Sequence, residues 1–208
     1  MRVHPEILTA AQHRVLARLG RVASERGFYL AGGTALALRL GHRRSVDFDW
    51  FSTQALGDAL RLARTLQDVA PLKVESTEQG TLHATVFKVR VSFMEYRYPL
   101  LRPTIAWAAK EVRLASLEDI ACMKLSAVAQ RGSRKDFVDL FALERRVPLA
   151  HALRSYVKKY GTHEVGPVLH GLVYFDDADR EPMPRMLRPW AWSDIKLDIQ
   201  RRVRALAV

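Results

Sequence analysis

Apolar residues recur at helical spacing near the start of the chain. Ile7, Leu8, Ala11, Val15, Leu19 and Val22 fall on one face, and Gly27 stands where such a helix would end. The apolar run Phe28-Tyr29-Leu30-Ala31 then predicts a buried strand, Gly32-Gly33 breaks it, and Thr34 to Leu38 predicts a helix that stops near Gly41. After the basic turn His42-Arg43-Arg44-Ser45, residues 46–51 alternate. That predicts a strand with Val46, Phe48 and Trp50 on one face and Asp47 and Asp49 on the other. A helix over 54–69 follows, with Leu56, Leu60, Ala63 and Leu66 inward. Two strands come next, at 72–75 and 81–96, around a turn at Gln79-Gly80. In the second, Phe87, Val89, Val91 and Phe93 alternate with Lys88, Arg90, Ser92 and Met94, giving one core face and one basic face. A last strand near 111–114 closes the sheet, and Ser116 with Asp119 forms a capping-box pattern. Helical periodicity then dominates, at about 117–131, 134–146, 149–160, 163–175 and 191–206.

The order of elements predicts an α+β fold: a core of mixed sheet flanked by helices over 1–115, followed by a helical subdomain over 116–208. An apolar share of 49% and a charged share of 26% suit a folded globule rather than a disordered chain. No stretch approaches the ~18 consecutive apolar residues of a membrane span, and the first residues lack the apolar core of a secretory signal. One cysteine, Cys122, builds no disulfide framework and reads as a small core residue, so a reducing cytoplasm is the expected home. His163-Glu164 starts a zinc-protease pattern, but Pro167 stands where the second histidine is needed.

The charge is less ordinary. There are 33 Lys and Arg against 22 Asp and Glu, a net +11, which suits a phosphate-rich partner such as RNA. Arg outnumbers Lys about three to one, so an arginine-rich coding bias is a second source of the same excess.

The chemistry concentrates in Gly32-Gly33, thirteen intervening residues, and Asp47-Phe48-Asp49. Strand residues i and i+2 point the same way with Cα atoms roughly 6.5–7 Å apart, so two carboxylates converge where a hard cation can sit. Two glycines ahead of a helix let a phosphate approach the backbone, where the free N–H groups of the first turn and the positive end of the helix dipole hold its charge. The Walker spacing and its Lys-Ser/Thr pair are absent, which excludes a P-loop NTPase. A competing account of the aspartate pair is neutralisation by Arg43 or Arg44 instead of a metal.

With Ala31-Gly32-Gly33-Thr34 and Val46-Asp47-Phe48-Asp49-Trp50, this arrangement resembles the nucleotidyltransferase superfamily typified by DNA polymerase beta. The segments 28–52, 123–143 and 172–186 extend the likeness over most of the chain to the AbiEii/AbiGii-type toxin nucleotidyltransferases of abortive-infection and toxin–antitoxin systems. The resemblance implies a polymerase-beta-like core and a set of functional residues. Asp47 and Asp49 would hold Mg2+, with two ions possible. Gly32, Gly33, Thr34 and Lys124 would bind an NTP, and Lys124 and Asp136 would complete the catalytic set. It further implies transfer of an NMP to an acceptor hydroxyl, an EC 2.7.7-type reaction, with RNA or tRNA as acceptor and a cognate antitoxin as partner. Arg43, Arg44, Lys88 and Arg90 are the candidate RNA contacts.

Some positions carry a plainer reading beside the functional one. Asp136 in the first turn of its helix suits a capping role, and Asp139 suits the surface or a pair with Arg131, Arg134 or Lys135. Trp190 and Trp192 read as anchors of the last helix or as base-stacking residues. The third carboxylate usual in polymerase-beta-type enzymes is replaced by Ser92, with Glu95 nearby but sent to the opposite face by alternation. That substitution keeps open an alternative, a degenerate non-catalytic module that binds nucleotide or RNA on the same fold.

Overall fold

The computed structural model describes residues 3–206, so the outermost residues of both expected regions, at positions 1 and 208, lie outside it. The chain gathers into two units. One holds the described residues up to Arg39 together with Ser45–Ser116, and the other holds Leu40–Arg44 and the residues from Leu117 onward.

The first unit is built on a seven-stranded sheet. Its strands are β1 (Tyr29–Leu30), β2 (Phe48–Ser52), β3 (Leu72–Glu78), β4 (Thr81–Val86), β5 (Val89–Glu95), β6 (Ile105–Trp107) and β7 (Val112–Leu114), in the spatial order β3-β4-β5-β2-β1-β7-β6. β2 runs parallel to β5 and antiparallel to β1, and β1 runs parallel to β7. Alternation decides the two faces. Phe48, Trp50, Leu82, Ala84, Val86, Val91 and Phe93 are buried, with Trp50 stacked on Phe93 at 5.0 Å and Phe28 meeting Phe93 edge-on at 5.2 Å.

Helices α1 (Ala10–Glu25), α2 (Gly32–Leu40) and α3 (Ala59–Gln67) complete this unit. α1 begins later than its apolar pattern suggests, because Thr9 and Gln12 form a reciprocal capping box and residues 5–7 make a separate single turn. α3 also begins late, capped by Asp58. Its inward face is Leu62, Ala63 and Leu66, the last two as expected, while Leu60, expected inward, is 50% exposed. Val46 is likewise exposed, since β2 starts only at Phe48.

The largest difference from the periodicity lies at Phe87-Lys88. A single strand over 81–96 is replaced by two, folded back at these residues, which take φ of 50° and 66°. Non-glycine residues rarely adopt this region, so nothing in the composition marks the turn. The Arg14 guanidinium lies 5.2 Å from the Phe87 ring and helps to hold it.

The second unit is helical: α4 (Leu117–Gln130), α5 (Arg134–Leu143), α6 (Leu149–Tyr160), α7 (Gly166–Val173), α8 (Asp176–Arg180) and α9 (Trp192–Ala205). α8 is a short turn absent from the sequence reading. Trp192 packs against Phe137 and Phe175, its ring N–H donates to Asp179, and the Arg134 guanidinium lies over it, so this residue anchors α9. Trp190 packs edge-on against Phe141.

Helix α7 crosses α4 closely at Gly171, where a Cβ would stand 2.8 Å from the Val128 carbonyl oxygen and 3.1 Å from the Ala129 Cα. Backbone atoms cannot step aside as a flexible side chain can. Gly171→Ala is therefore expected to destabilise by about 1–3 kcal/mol, the range of overpacked interiors. Gly166→Ala on the same helix, with open space at its Cβ, should leave stability unchanged or slightly raised. Urea titration of the two variants checks both.

Candidate active site

The sheet face opposite the core carries the polar groups. Asp49 on β2 pairs in register with Ser92 on β5, and Ser92 pairs with His83 on β4, so the three form one row across adjacent strands. Asp47 comes one residue before β2, on the same face as Asp49.

The turn from β1 into α2 meets Asp49. Gly32 has φ of +62°, and a Cβ there would stand 2.7 Å from Asp49 Oδ2. Both facts demand glycine: the first by backbone conformation, the second because a side chain would displace the carboxylate. Gly33 continues the first turn of the helix. The Thr34 hydroxyl donates to the backbone carbonyl of Asp47 and is buried, so it fastens the start of β2 to the helix and is not turned outward. Gly32 and Asp49 thus meet within one unit, and Asp47 lies on the same sheet face as Asp49.

Asp47 has a partner the sequence reading did not name. Arg90 on β5 grips it with both prongs, Nε to Oδ1 at 2.9 Å and Nη2 to Oδ2 at 2.8 Å. Hydrogen bonding to Asp47 and its charge, assisted by Asp49, raise the Arg90 pKa above its ordinary value. The Arg90 side chain is 75% exposed. Lys88 lies exposed in the hairpin turn.

Glu95 does not join these acids. It pairs with Ser52, the alternation that sends it to the other face, and accepts hydrogen bonds from Arg97 and the Leu56 amide, which hold its carboxyl below the usual range. Ser92 instead meets His83, whose Nδ1 lies 2.9 Å from the serine Oγ. Beyond Asp49 on the same face a row of rings begins: Phe51 stacks near Tyr29 at 6.3 Å and meets Tyr96 at 5.4 Å, and Tyr96 meets Tyr98 at 5.2 Å.

The remaining expected residues belong to the second unit and form a buried charge cluster. Lys124 Nζ lies 2.7 Å from Asp136 Oδ1 and 2.6 Å from Asp139 Oδ2, and all three side chains are nearly or wholly inaccessible. Asp139 also receives both prongs of Arg43 and lies 2.8 Å from His42 Nε2. Asp136 accepts from Ser133 and from Arg131, whose side chain is 60% exposed. Three residues differ from their expected surroundings. Arg43, expected at RNA, is 3% exposed and committed to Asp139. Asp139, expected at the surface or beside Arg131, Arg134 or Lys135, is the centre of the cluster. Lys124, expected at triphosphate oxygens, has its ammonium between two carboxylates. The Arg44 amide donates to the Arg185 carbonyl.

Burial alone would push the Asp139 carboxyl up, but the charges of Arg43 and Lys124, with hydrogen bonds from Arg43 and His42, hold it well below the usual range. Asp136 is lowered in the same way, against burial, by Lys124, Arg131 and Ser133. Burial lowers His42, which keeps that ring neutral near pH 7. Burial also pushes the Cys122 thiol up to about 12, so this sulfur is a packing group and not a nucleophile.

The mixed sheet, with a glycine turn that opens a helix beside the strand carrying Asp49, has the fold of solved nucleotidyltransferases. Residues 14–203 match the family described as the nucleotidyl transferase AbiEii toxin of type IV toxin–antitoxin systems. The chain belongs to the AbiEii nucleotidyl transferase toxin family. Membership implies nucleotide substrates and a cognate antitoxin. An uncharacterized protein of Aquifex aeolicus strain VF5 is 37% identical over 180 residues, covering 85% of this chain and 86% of that one. Among solved structures, the nucleotidyltransferase toxin MenT4 of Mycobacterium tuberculosis H37Rv is similar with a TM-score of 0.58 at 16% identity, over 95% of this chain and 82% of that one. The antibiotic-resistance factor ANT(2'')-Ia is similar with a TM-score of 0.58 at 14% identity, over 74% and 94% of the two chains. These two likenesses speak for the fold. Among the described residues, no helix is long and apolar enough to cross a membrane.

The depressed acids of the cluster set an acid limit. A carboxyl held below its unfolded value, about 3.9 for Asp, contributes stability above that value and loses it as pH falls toward the folded one. Unfolding free energy is expected to drop steeply below about pH 4. Asp139→Asn should remove much of that slope and cost about 3–5 kcal/mol at neutral pH, because Arg43 and Lys124 are left buried without their partner. Chemical denaturation measured from pH 2 to pH 7 tests both statements.

Proposed function

We propose that the protein is a magnesium-dependent nucleotidyltransferase that moves an NMP from an NTP to a hydroxyl of RNA, with a tRNA end as the favoured acceptor, and acts as the toxin of its pair. The observation that carries the reading is the contact between Asp49 and the Gly32 turn, which sets a carboxylate at the N-terminal end of α2 with Asp47 on the same face. The amides of that first helical turn hold triphosphate oxygens, where only glycine leaves the backbone open to them.

The donor set fits the cation. Mg2+ keeps several waters and takes one or two carboxylates together with substrate phosphates, so Asp47 and Asp49 suffice without a third acid. When bound, the ion neutralises triphosphate charge and assists the loss of pyrophosphate. Arg90 is exposed, so it can leave Asp47 for that purpose by swinging toward solvent, where it meets the RNA backbone. The net charge of +11 and the outward row Phe51, Tyr96 and Tyr98, with Tyr98 45% exposed, support a nucleic-acid acceptor whose bases stack. Lys88 and Arg44 add charge to the chain's basic side chains. Lys124 and Asp136 enter as positioning residues within their own unit: with Asp139 they fix Arg43 and the segment 40–44.

A second reading draws on Ser92 in place of an acid and on Arg90 already seated on Asp47: a module that binds nucleotide and does not turn it over. Incubation with Mg2+, each α-labelled NTP and total tRNA separates the two. Transfer by the wild type that falls by at least about 100-fold in Asp47→Ala/Asp49→Ala supports the enzyme. NTP binding without transfer by any of the four nucleotides supports the module.

Arg90 competes with a cation for Asp47 in this scheme. Arg90→Ala should tighten Mn2+ binding several-fold by calorimetry while shifting unfolding by no more than about 1 kcal/mol, as for other exposed ion pairs.

A further inference from the structure

The row Asp49, Ser92, His83 has a feature that neither the acid pair nor the family assignment uses. Adjacent strands lie about 4.8 Å apart, so the imidazole is two strands from Asp49, on the same face, with only the small side chain of Ser92 between them. Ser92 occupies the ring through Nδ1. Among the described residues His83 Nε2 has no hydrogen-bond partner, and the side chain is partly exposed. In the tautomer where Nδ1–H donates to Ser92 Oγ, Nε2 is a lone-pair base.

A hydroxyl acceptor must lose a proton as it attacks phosphorus, and with Asp47 and Asp49 assigned to the cation that step calls for another base within reach. We propose that His83 is the general base of the transfer, oriented by Ser92, in the role that a third carboxylate would otherwise fill. The proposal rests on the nucleotidyltransferase reading above. The acceptor oxygen forms a bond to the α-phosphorus and its proton passes to His83 Nε2. The bond from that phosphorus to the bridging oxygen of pyrophosphate breaks, and pyrophosphate leaves. The imidazolium then returns its proton to water. Ser92 is a positioning residue, and its smallness is part of the design, since a longer side chain would stand between the ring and the acceptor.

The test is single-turnover transfer from each α-labelled NTP to total tRNA by wild type, His83→Ala, His83→Gln and Ser92→Ala, with thermal unfolding followed in parallel. The expected result is a loss of about 100-fold or more in rate for both His83 variants, with KM for NTP within about twofold and unfolding close to wild type. His83→Gln keeps a polar partner for Ser92 yet takes no proton, so it should be as slow as His83→Ala. Added imidazole should restore part of the rate in His83→Ala alone, because the vacated space admits it, and a merely structural histidine would not respond. Ser92→Ala should be slowed by a smaller factor. Active wild type matched by His83→Gln, or a His83→Ala variant that imidazole does not rescue, overturns the base while leaving the enzyme reading intact. Wild type inactive with all four nucleotides overturns both.

Discussion

The close approach of Asp49 to the Gly32 turn is the constraint on which the first unit's site depends. A carboxylate oxygen stands where a Cβ would be. The chain can turn from strand to helix there only with a residue that has no side chain and accepts positive φ. That turn sets the direction of α2, and the pairing of β1 with β2 sets which side chains of β2 face it. The buried stack of Trp50 on Phe93 then locks the register of β2 against β5, because a slip of one residue would exchange the aromatic face for the acidic one. Site geometry and core packing are two faces of one sheet decision.

In the second unit the organising element is electrostatic. Lys124, Asp136, Asp139 and Arg43 take charge out of water and compensate it internally, with Ser133 and His42 supplying further hydrogen bonds. Such clusters add little net stability relative to an apolar core, but they tolerate only one arrangement, since each missing partner strands a buried charge. The family resemblance draws attention to Lys124 and Asp136 as functional. Their geometry explains why both types are needed even apart from contact with substrate.

The fold was legible where local chemistry and periodicity agreed. The β1–Gly-Gly–α2–β2 unit could be read because alternation, the paired glycines and the acid spacing all point to the same backbone. Phe87-Lys88 escaped because ordinary residues occupy a conformation that usually advertises itself with Gly or Asn. On α3, Ala63 and Leu66 face inward as their spacing predicts, but Leu60 sits in the first turn just after the cap at Asp58 and is exposed. The shared direction of Asp47 and Asp49 was legible from their spacing, but Arg90 as the partner of Asp47 was not, since alternation gives β5 a basic face without saying what it meets. Asp139 was the hardest. Its partners Arg43 and His42 lie 96 and 97 residues away in sequence, while nearby Arg131, Arg134 and Lys135 offered a local pairing that Asp139 does not use. His83 carried only a faint mark, a histidine flanked by Thr81 and Thr85 on the face that alternation turns away from the core.

The hydrogen bond from Thr34 to the Asp47 carbonyl joins the first turn of α2 to the residue that opens β2. The start of the helix and the start of the strand therefore cannot move independently: Thr34 is a strut, and whatever shifts one end carries the Asp47 backbone with it.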